Sequence, residues 1–162
     1  MNFPVLFCEA LPSNTESVCQ LVDAVFQRFE APDYSAEGIA EFAKYNTPGA
    51  MAQRIADNHR ALLAISGEQI IGVIELRNLQ HISLFFVKEQ YQGKKIGRAL
   101  WEQAYQICIK ANPSFQQITV NSSPYAVSIY ERLGFSRTGP DQMKSGIRYV
   151  PMTFIAARVP KD

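Results

Sequence analysis

Gln92-Gly93-Lys94-Lys95-Ile96-Gly97-Arg98 runs from an apolar strand straight into an amphipathic helix, and this junction decides how the rest of the chain is read. The first backbone N–H groups of a helix have no partner within it, and the aligned peptide dipoles add positive potential at the same end. A phosphate placed there meets both needs. Gly93 and Gly97 let an anion approach the backbone, and Lys94, Lys95 and Arg98 surround the point with mobile positive charge. That suits a ligand with several phosphates better than a lone carboxylate. Glycine and lysine between a strand and a helix also mark ordinary solvated turns, so the segment taken alone leaves both readings open.

Upstream, His81 to Val87 begins as an alternating strand and then meets four consecutive apolar residues, Leu84 to Val87. A bulge near Phe85, which frees backbone groups for a ligand, and a strand buried on both faces account for that run equally well. Downstream, Ile96, Leu100, Ala104 and Ile107 trace a helical stripe to about Lys110, and Asn112-Pro113 ends it. Gln117 to Val120 reads as a buried strand. Ser123 and Pro124 then supply a cap and a first helical residue for a helix to Leu133, stopped by Gly134. Ala126, Ile129, Tyr130 and Leu133 share the inner face of that helix, which points Tyr130 towards the sheet. Phe135 to Thr138 and Gly146 to Ile155 make a closing strand pair across a polar loop.

In the N-terminal half, Phe3 to Glu9 reads as a strand, and Ser13-Asn14-Thr15-Glu16 as a capping box with serine at the cap. Val18, Leu21, Val22, Val25, Phe26 and Phe29 then follow the spacing of one buried helical face. Ala31-Pro32-Asp33 breaks the helix. Ser35 and Thr47-Pro48 cap two shorter helices carrying Ile39, Phe42, Met51 and Ile55, an arm able to cover a site. Ala61 to Ser66 and Ile70 to Arg77 form a hairpin around Gly67-Glu68-Gln69.

The chain has 162 residues, 47% of them hydrophobic, which predicts one domain over 1–162. Sixteen basic and fifteen acidic residues leave a net charge of +1, so no overall field points to nucleic acid or an anionic membrane, and phosphate recognition must be local. Met1-Asn2-Phe3-Pro4 lacks the basic flank and apolar core of a signal peptide, and no apolar run reaches membrane-spanning length, so the expected location is cytoplasmic. Cys8, Cys19 and Cys108 are scattered and read as buried thiols; with His59 and His81 they form no metal or nucleophile motif, and no metal is expected.

The phosphate-binding P-loop needs Gly-Lys-Ser/Thr after its glycines and the dinucleotide loop three glycines in a tighter pattern, so neither fits. The order strand, irregular apolar run, basic loop, long helix, strand and short helix with an inward tyrosine instead resembles the Gcn5-related N-acetyltransferases. Gln92-Gly93-Lys94-Lys95-Ile96-Gly97 is similar to that family's Q/R-x-x-G-x-G/A pyrophosphate loop, with Lys95 where glycine is usual. Asn121-Ser122-Ser123-Pro124-Tyr125-Ala126-Val127-Ser128-Ile129-Tyr130-Glu131-Arg132-Leu133-Gly134-Phe135 is similar to its segment in which an asparagine precedes a tyrosine-bearing helix ending in Gly-Phe.

The resemblance implies an α/β (α+β) fold with a mixed, mainly antiparallel central sheet, a splayed parallel strand pair and flanking helices. It implies an acetyl-CoA-dependent N-acetyltransferase acting on a primary amine of a small molecule or protein by direct attack. Gln92, Gly93, Lys94, Lys95, Ile96, Gly97 and Arg98 would hold the pyrophosphate, and the strand edge at Phe85, Phe86 and Val87 the pantetheine arm. Asn121 would hydrogen-bond the arm or simply begin the next turn. Tyr130 would protonate the departing sulfur, against the alternative of a buried hydroxyl satisfied by a carbonyl. A non-catalytic acyl-coenzyme A binding or sensing module with the same fold is the rival reading.

Attack by an amine also requires a proton acceptor. Glu75, on an apolar strand face with Ile71 and Val73, belongs either at a wet cleft, where it is the first candidate base, or in an ion pair with Arg77 or another surface cation. His81 is the second candidate. Asp33, Glu37 and Glu41 could attract a cationic amine, and Phe29, Tyr34 and Tyr45 could line its pocket, although solvation and core packing explain both sets. The acceptor remains unnamed by the sequence, and a homodimer is compatible with it.

Overall fold

The computed structural model describes residues 3–156. Helices cover both faces of one sheet. Strand β1 (Val5–Glu9) is followed by helix α1 (Thr15–Phe29). The serine cap expected for α1 is not what starts it. Pro12, with its fixed φ, opens a 3₁₀ turn over Pro12–Asn14 that takes Ser13 into its middle. Asn14 Oδ1 accepts the Leu11 N–H at 2.8 Å, and the Thr15 hydroxyl donates to the Pro12 carbonyl at 2.9 Å. The apolar stripe of α1 behaves as read: Val18, Leu21, Val22, Val25 and Phe26 are buried.

Helices α2 (Ala36–Tyr45) and α3 (Pro48–Asp57) make the arm. Their caps are the expected ones, with Ser35 Oγ accepting the Gly38 N–H at 3.1 Å and Thr47 Oγ1 the Ala50 N–H at 3.2 Å. The hairpin of β2 (His59–Ser66) and β3 (Gln69–Arg77) turns on Gly67 and Glu68 alone, because Gln69 already pairs with Ser66.

Strand β4 (His81–Val87) settles the two readings of its apolar run. Pairing with β3 steps from Glu75 opposite Leu84 to Leu76 opposite Ile82, so the extra residue is Ser83, not Phe85. Beyond this bulge, Leu84 and Phe86 pack into the core under α1, while Phe85 and Val87 pack against the core on the opposite face. Four successive apolar residues therefore alternate between two covered faces.

Helix α4 (Ile96–Ala111) crosses to β5 (Gln117–Ser122), which lies parallel to β4. Ser123 Oγ accepts the Ala126 N–H at 3.3 Å and starts a 3₁₀ turn that leads into α5 (Val127–Leu133). Strands β6 (Ser136–Arg137) and β8 (Ile147–Ile155) follow as expected. The polar loop between them, however, contains a further strand, β7 (Gln142–Lys144), paired with the start of β8 through a turn at Ser145 and Gly146. Gln142, Met143 and Lys144 are all exposed, so β7 carries no buried alternation by which a sequence could announce it.

The strand order is β1-β2-β3-β4-β5-β8-β6, with β7 on β8, and β4–β5 is the parallel pair in an otherwise antiparallel sheet. Leu100, Trp101, Ala104 and Cys108 of α4 fill the core on one face, and α1 with Met51 of α3 fills the other. Cys19 and Cys108 are buried, but Cys8 is exposed because β1 is the edge strand. Among the described residues no helix is long and apolar enough to cross a membrane.

Candidate active site

The basic loop leaves its amides available. Helix α4 begins without any side-chain cap, so the N–H groups of Ile96, Gly97 and Arg98 have no partner in the helix or from a capping group. Lys95, at the cap position, holds φ +65° and ψ 12°, a left-handed conformation that costs a residue with a Cβ about 1–2 kcal/mol. Its side chain is exposed. Gln92 turns inwards, its Nε2 donating to the Val87 carbonyl at 3.0 Å, so one strand-edge acceptor that the sequence reading left open is already engaged. Arg98 Nη2 donates to the Arg132 carbonyl at 3.1 Å, and Lys94 Nζ lies 5.4 Å from the centroid of the Tyr91 ring.

Strands β4 and β5 pair only at His81–Thr119 and Ile82–Val120, then part. The gap opens the sheet from Ser83 to Val87 on one side and from Asn121 on the other, and two cavities occupy it. One, of about 390 Å³, is a groove walled by Phe85, Phe86, Val87, Gln92, Gly93, Lys95, Ile96, Gly97 and Arg98 together with Tyr130. The other, of about 410 Å³, lies under the arm and includes Asn121, Tyr34, Phe42 and Tyr45 in its walls. Glu30, Phe85, Phe86, Ala126 and Tyr130 wall both. Tyr130 and the predicted cofactor-binding residues other than Lys94 thus gather around one opening, whereas Lys94 and Glu75 wall neither cavity.

Tyr130 is 5% exposed and packs its ring against Phe85 and Phe135, at centroid distances of 6.0 and 5.3 Å. Burial, and secondarily the Glu30 charge, pushes its phenol well above the ordinary value, so it stays protonated throughout the neutral range.

Glu75 has no exposure, and its carboxylate is saturated: Arg54 Nε and Nη2 donate at 2.7 and 3.2 Å, and His59 Nδ1 lies 2.7 Å away. The wet cleft offered to it in the sequence reading is absent; the paired alternative describes its position, with Arg54 and His59 as partners in place of Arg77. Arg54 also donates to the Tyr45 carbonyl at 2.7 Å and stacks 3.7 Å from the Tyr45 ring centroid, so this buried group ties the arm to the sheet. His81 sits beside Thr119, its Nδ1 2.7 Å from Oγ1, and burial followed by the Arg77 charge drops it to about 4. It is therefore neutral at neutral pH and walls neither cavity.

Of the acidic residues expected to recruit an amine, Glu41 reaches the arm cavity, whereas Asp33 and Glu37 do not line it. Tyr34 and Tyr45 line it as expected, but Phe29 belongs to the groove, stacked on Tyr125 at 5.1 Å. Sequence reasoning passed over Glu30, Lys144 and Tyr149. Glu30 had one visible sign: a carboxylate just past the last turn of α1 faces the negative end of the helix dipole, an unfavourable place without a reason.

Main chain joins the arm to the turn before β8. Gly38 of α2 rests on Gly146, which takes φ +76°, and a Cβ on either glycine would collide with backbone of the other. The Ser35 hydroxyl donates to the Gly146 carbonyl at 3.1 Å across the same seam. Among the described residues no group of three or more His, Cys, Asp or Glu side chains is placed to hold a metal ion.

Residues 30–156 match the family model described as an acetyltransferase (GNAT) domain. The fold is similar to that of a PaiA N-acetyltransferase from Thermoplasma acidophilum solved with coenzyme A, at 19% identity and a TM-score of 0.80, covering 94% of this chain and 99% of that one. It is equally similar to a GCN5-related N-acetyltransferase from Rhodopseudomonas palustris, at 19% identity, TM-score 0.80, and 96% and 98% coverage. A GNAT-family acetyltransferase from Staphylococcus aureus Mu50 follows at 16% identity and TM-score 0.72, covering 94% of this chain and 99% of its own. At these identities the likeness is one of fold.

Proposed function

Because the chain belongs to the GNAT acetyltransferase family, we propose that it moves an acetyl group from acetyl-coenzyme A to a primary amine of a small molecule or protein, by direct attack of the amine on the thioester. The observation that carries this reading is the shared wall: Tyr130 borders both the groove and the arm cavity, at the point where two bound reactants would meet. The groove fits the first of them. It joins uncapped amides at the start of α4 to an apolar strip opened by the parting of β4 from β5, the pairing of needs presented by a pyrophosphate followed by a pantetheine arm.

In this reading the amides of Gly93, Lys94, Lys95, Ile96, Gly97 and Arg98 hold the diphosphate. Phe85, Phe86 and Val87 flank the arm, Asn121 meets it from β5, and Gln92 fixes the loop by its bond to Val87. A single charge at an exposed helix start is worth about 0.3–1 kcal/mol, so affinity comes from the sum of these contacts. Tyr130 supplies a proton to the sulfur. Glu75 acts through position, holding α3 and Tyr45 so that the arm cavity keeps its shape.

Lys95 offers a direct check of the loop. Lys95→Gly should raise stability in urea unfolding by about 1 kcal/mol, the left-handed cost removed less the entropy glycine adds, while calorimetry still shows acetyl-CoA binding. Failure of the wild type to bind acetyl-CoA where the glycine variant binds would show that Lys95 spoils the cradle.

The function itself is tested by thiol release from acetyl-CoA with a panel of amines, with the acetylated product identified by mass. Amine-dependent turnover is expected. If acetyl-CoA binds yet no amine raises thiol release above hydrolysis, the chain is a coenzyme A binding module instead, and the arm cavity of about 410 Å³ has no catalytic use.

A further inference from the structure

We propose that Glu30 is the proton acceptor for the amine, and that the amine arrives through the arm cavity as an alkylammonium ion. This deepens the acetyltransferase reading above and rests on it.

The argument begins with position. Glu30 walls both cavities, as do Phe85, Phe86, Ala126 and Tyr130, and it is the one residue of those five with a carboxylate. It is fixed there from across the sheet opening, its Oε1 accepting the hydroxyl of Ser123, 93 residues away, at 3.1 Å. Ser123 is itself 7% exposed and immobilised by capping the turn before α5. Glu75, by contrast, has both oxygens committed to Arg54 and His59. Among the described residues no arginine or lysine pairs with Glu30, so a cation entering the cavity is what its charge lacks.

The cavity walls suit such a visitor. Tyr34, Phe42, Tyr45 and Tyr149 contribute aromatic rings to its wall, Tyr45 with one face already covered by Arg54, and Glu41 stands on the same wall as a second carboxylate. The charged and titratable groups sharing a wall with Glu30 are Tyr34, Glu41, Tyr45, Lys144 and Tyr149 in the arm cavity, Tyr91, Lys95, Arg98, Tyr125 and Arg132 in the groove, and Tyr130 in both, with Asp33 on its own turn. Desolvation, more than these neighbours, lifts the Glu30 carboxyl to about 7; the Ser123 bond opposes the lift and Asp33 adds to it. A base with that affinity is ionised often enough to accept a proton near neutrality and strong enough to take one.

The proton balance closes. Glu30 takes one proton from the ammonium, leaving a neutral amine. The nitrogen bonds to the acetyl carbon as the carbon–sulfur bond breaks, its second proton passes to the sulfur with Tyr130 as relay, and Glu30 returns its own proton to solvent. Tyr130, far above its ordinary value, cannot serve as the first acceptor.

Linkage supplies a readout that needs no turnover. Folding lifts the Glu30 carboxyl from 4.5 to about 7, so across that window the folded chain keeps a proton the unfolded chain has lost. Stability is therefore lowered by ionisation of Glu30 as pH rises through this window. Glu30→Gln, which keeps the side chain's shape and removes its titration, should abolish that fall in the melting temperature.

The decisive experiment compares two acceptors in wild type, Glu30→Gln and Glu30→Asp, with kcat/KM followed against pH. One acceptor is an alkylamine, charged at pH 7; the other is a low-pKa amine such as an aromatic amine or a hydrazine, already neutral there. Glu30→Gln should lose about 100-fold with the alkylamine and its acidic limb near pH 7, about 3-fold or less with the neutral amine, and Glu30→Asp should restore part of the limb. Equal losses with both acceptors, or an acidic limb unchanged in Glu30→Gln, overturn the proposal while leaving the acetyltransferase reading standing. Absence of any amine-dependent turnover in the wild type overturns both.

Discussion

Tyr130→Phe is expected to lower kcat by about 100-fold while leaving the dissociation constant for acetyl-CoA within about 2-fold of the wild type, the range general acid catalysis ordinarily supplies. The reasoning is one of timing. The missing hydroxyl matters most when negative charge grows on the sulfur, and little when the thioester is merely bound. The ring would survive the change, because Phe85 and Phe135 hold it by contacts that do not use the oxygen. Burial keeps the phenol protonated well beyond neutrality, so no loss of activity between pH 7 and pH 9 should trace to its ionisation. The checks are single-turnover kinetics for the chemical step and calorimetry for binding. An unchanged single-turnover rate would remove Tyr130 from the proton path.

Glu75→Gln should cost about 3–5 kcal/mol of stability in denaturant unfolding, the loss typical of a buried ion pair stripped of one partner. The charge left behind would be Arg54, which is largely buried against the Tyr45 ring and could not recover water without moving α3. Glutamine keeps one acceptor oxygen for Arg54 Nε and His59 Nδ1, but its amide nitrogen would then face Arg54 Nη2, a donor set against a donor. Activity should fall through a weaker acceptor KM, because Tyr45 lines the arm cavity and its carbonyl is held by the same arginine. The shape of the pH profile should stay as it is. A lost acidic limb in a variant that remains folded would return Glu75 to the role of base.

Local chemistry explains what could be read in advance. The loop from Gln92 to Arg98 and the helix bearing Tyr130 are contiguous stretches whose local structure depends on neighbours in the chain, so their residues spell it out. The irregularity of β4 was visible as a break in alternation, but its position was not. Only pairing with β3 decides that Ser83, not Phe85, is the residue left over. Glu75 posed the opposite difficulty. Its apolar surroundings demanded a partner, yet the partner came from Arg54 on a helix that no spacing rule connects to β3. Glu30 and Ser123 meet across 93 residues, a distance over which sequence pattern carries no register. Strand β7, exposed along its length, is held by backbone pairing and by the Tyr149 hydroxyl donating to Gln142 Oε1 at 2.9 Å, and leaves no trace in hydrophobicity.

The bare contact between Gly38 and Gly146 has a consequence for how such a protein can change. Where the two backbones touch, the fit rests on main chain and on the Ser35 hydroxyl, so the surrounding tyrosines, Phe42, Glu41 and Lys144 can be exchanged without reopening that join. The loop end of the groove, at the start of α4, is untouched by such exchanges. A differently shaped arm cavity therefore needs only a handful of substitutions above that clasp, and the two positions with the least room for a side chain carry none.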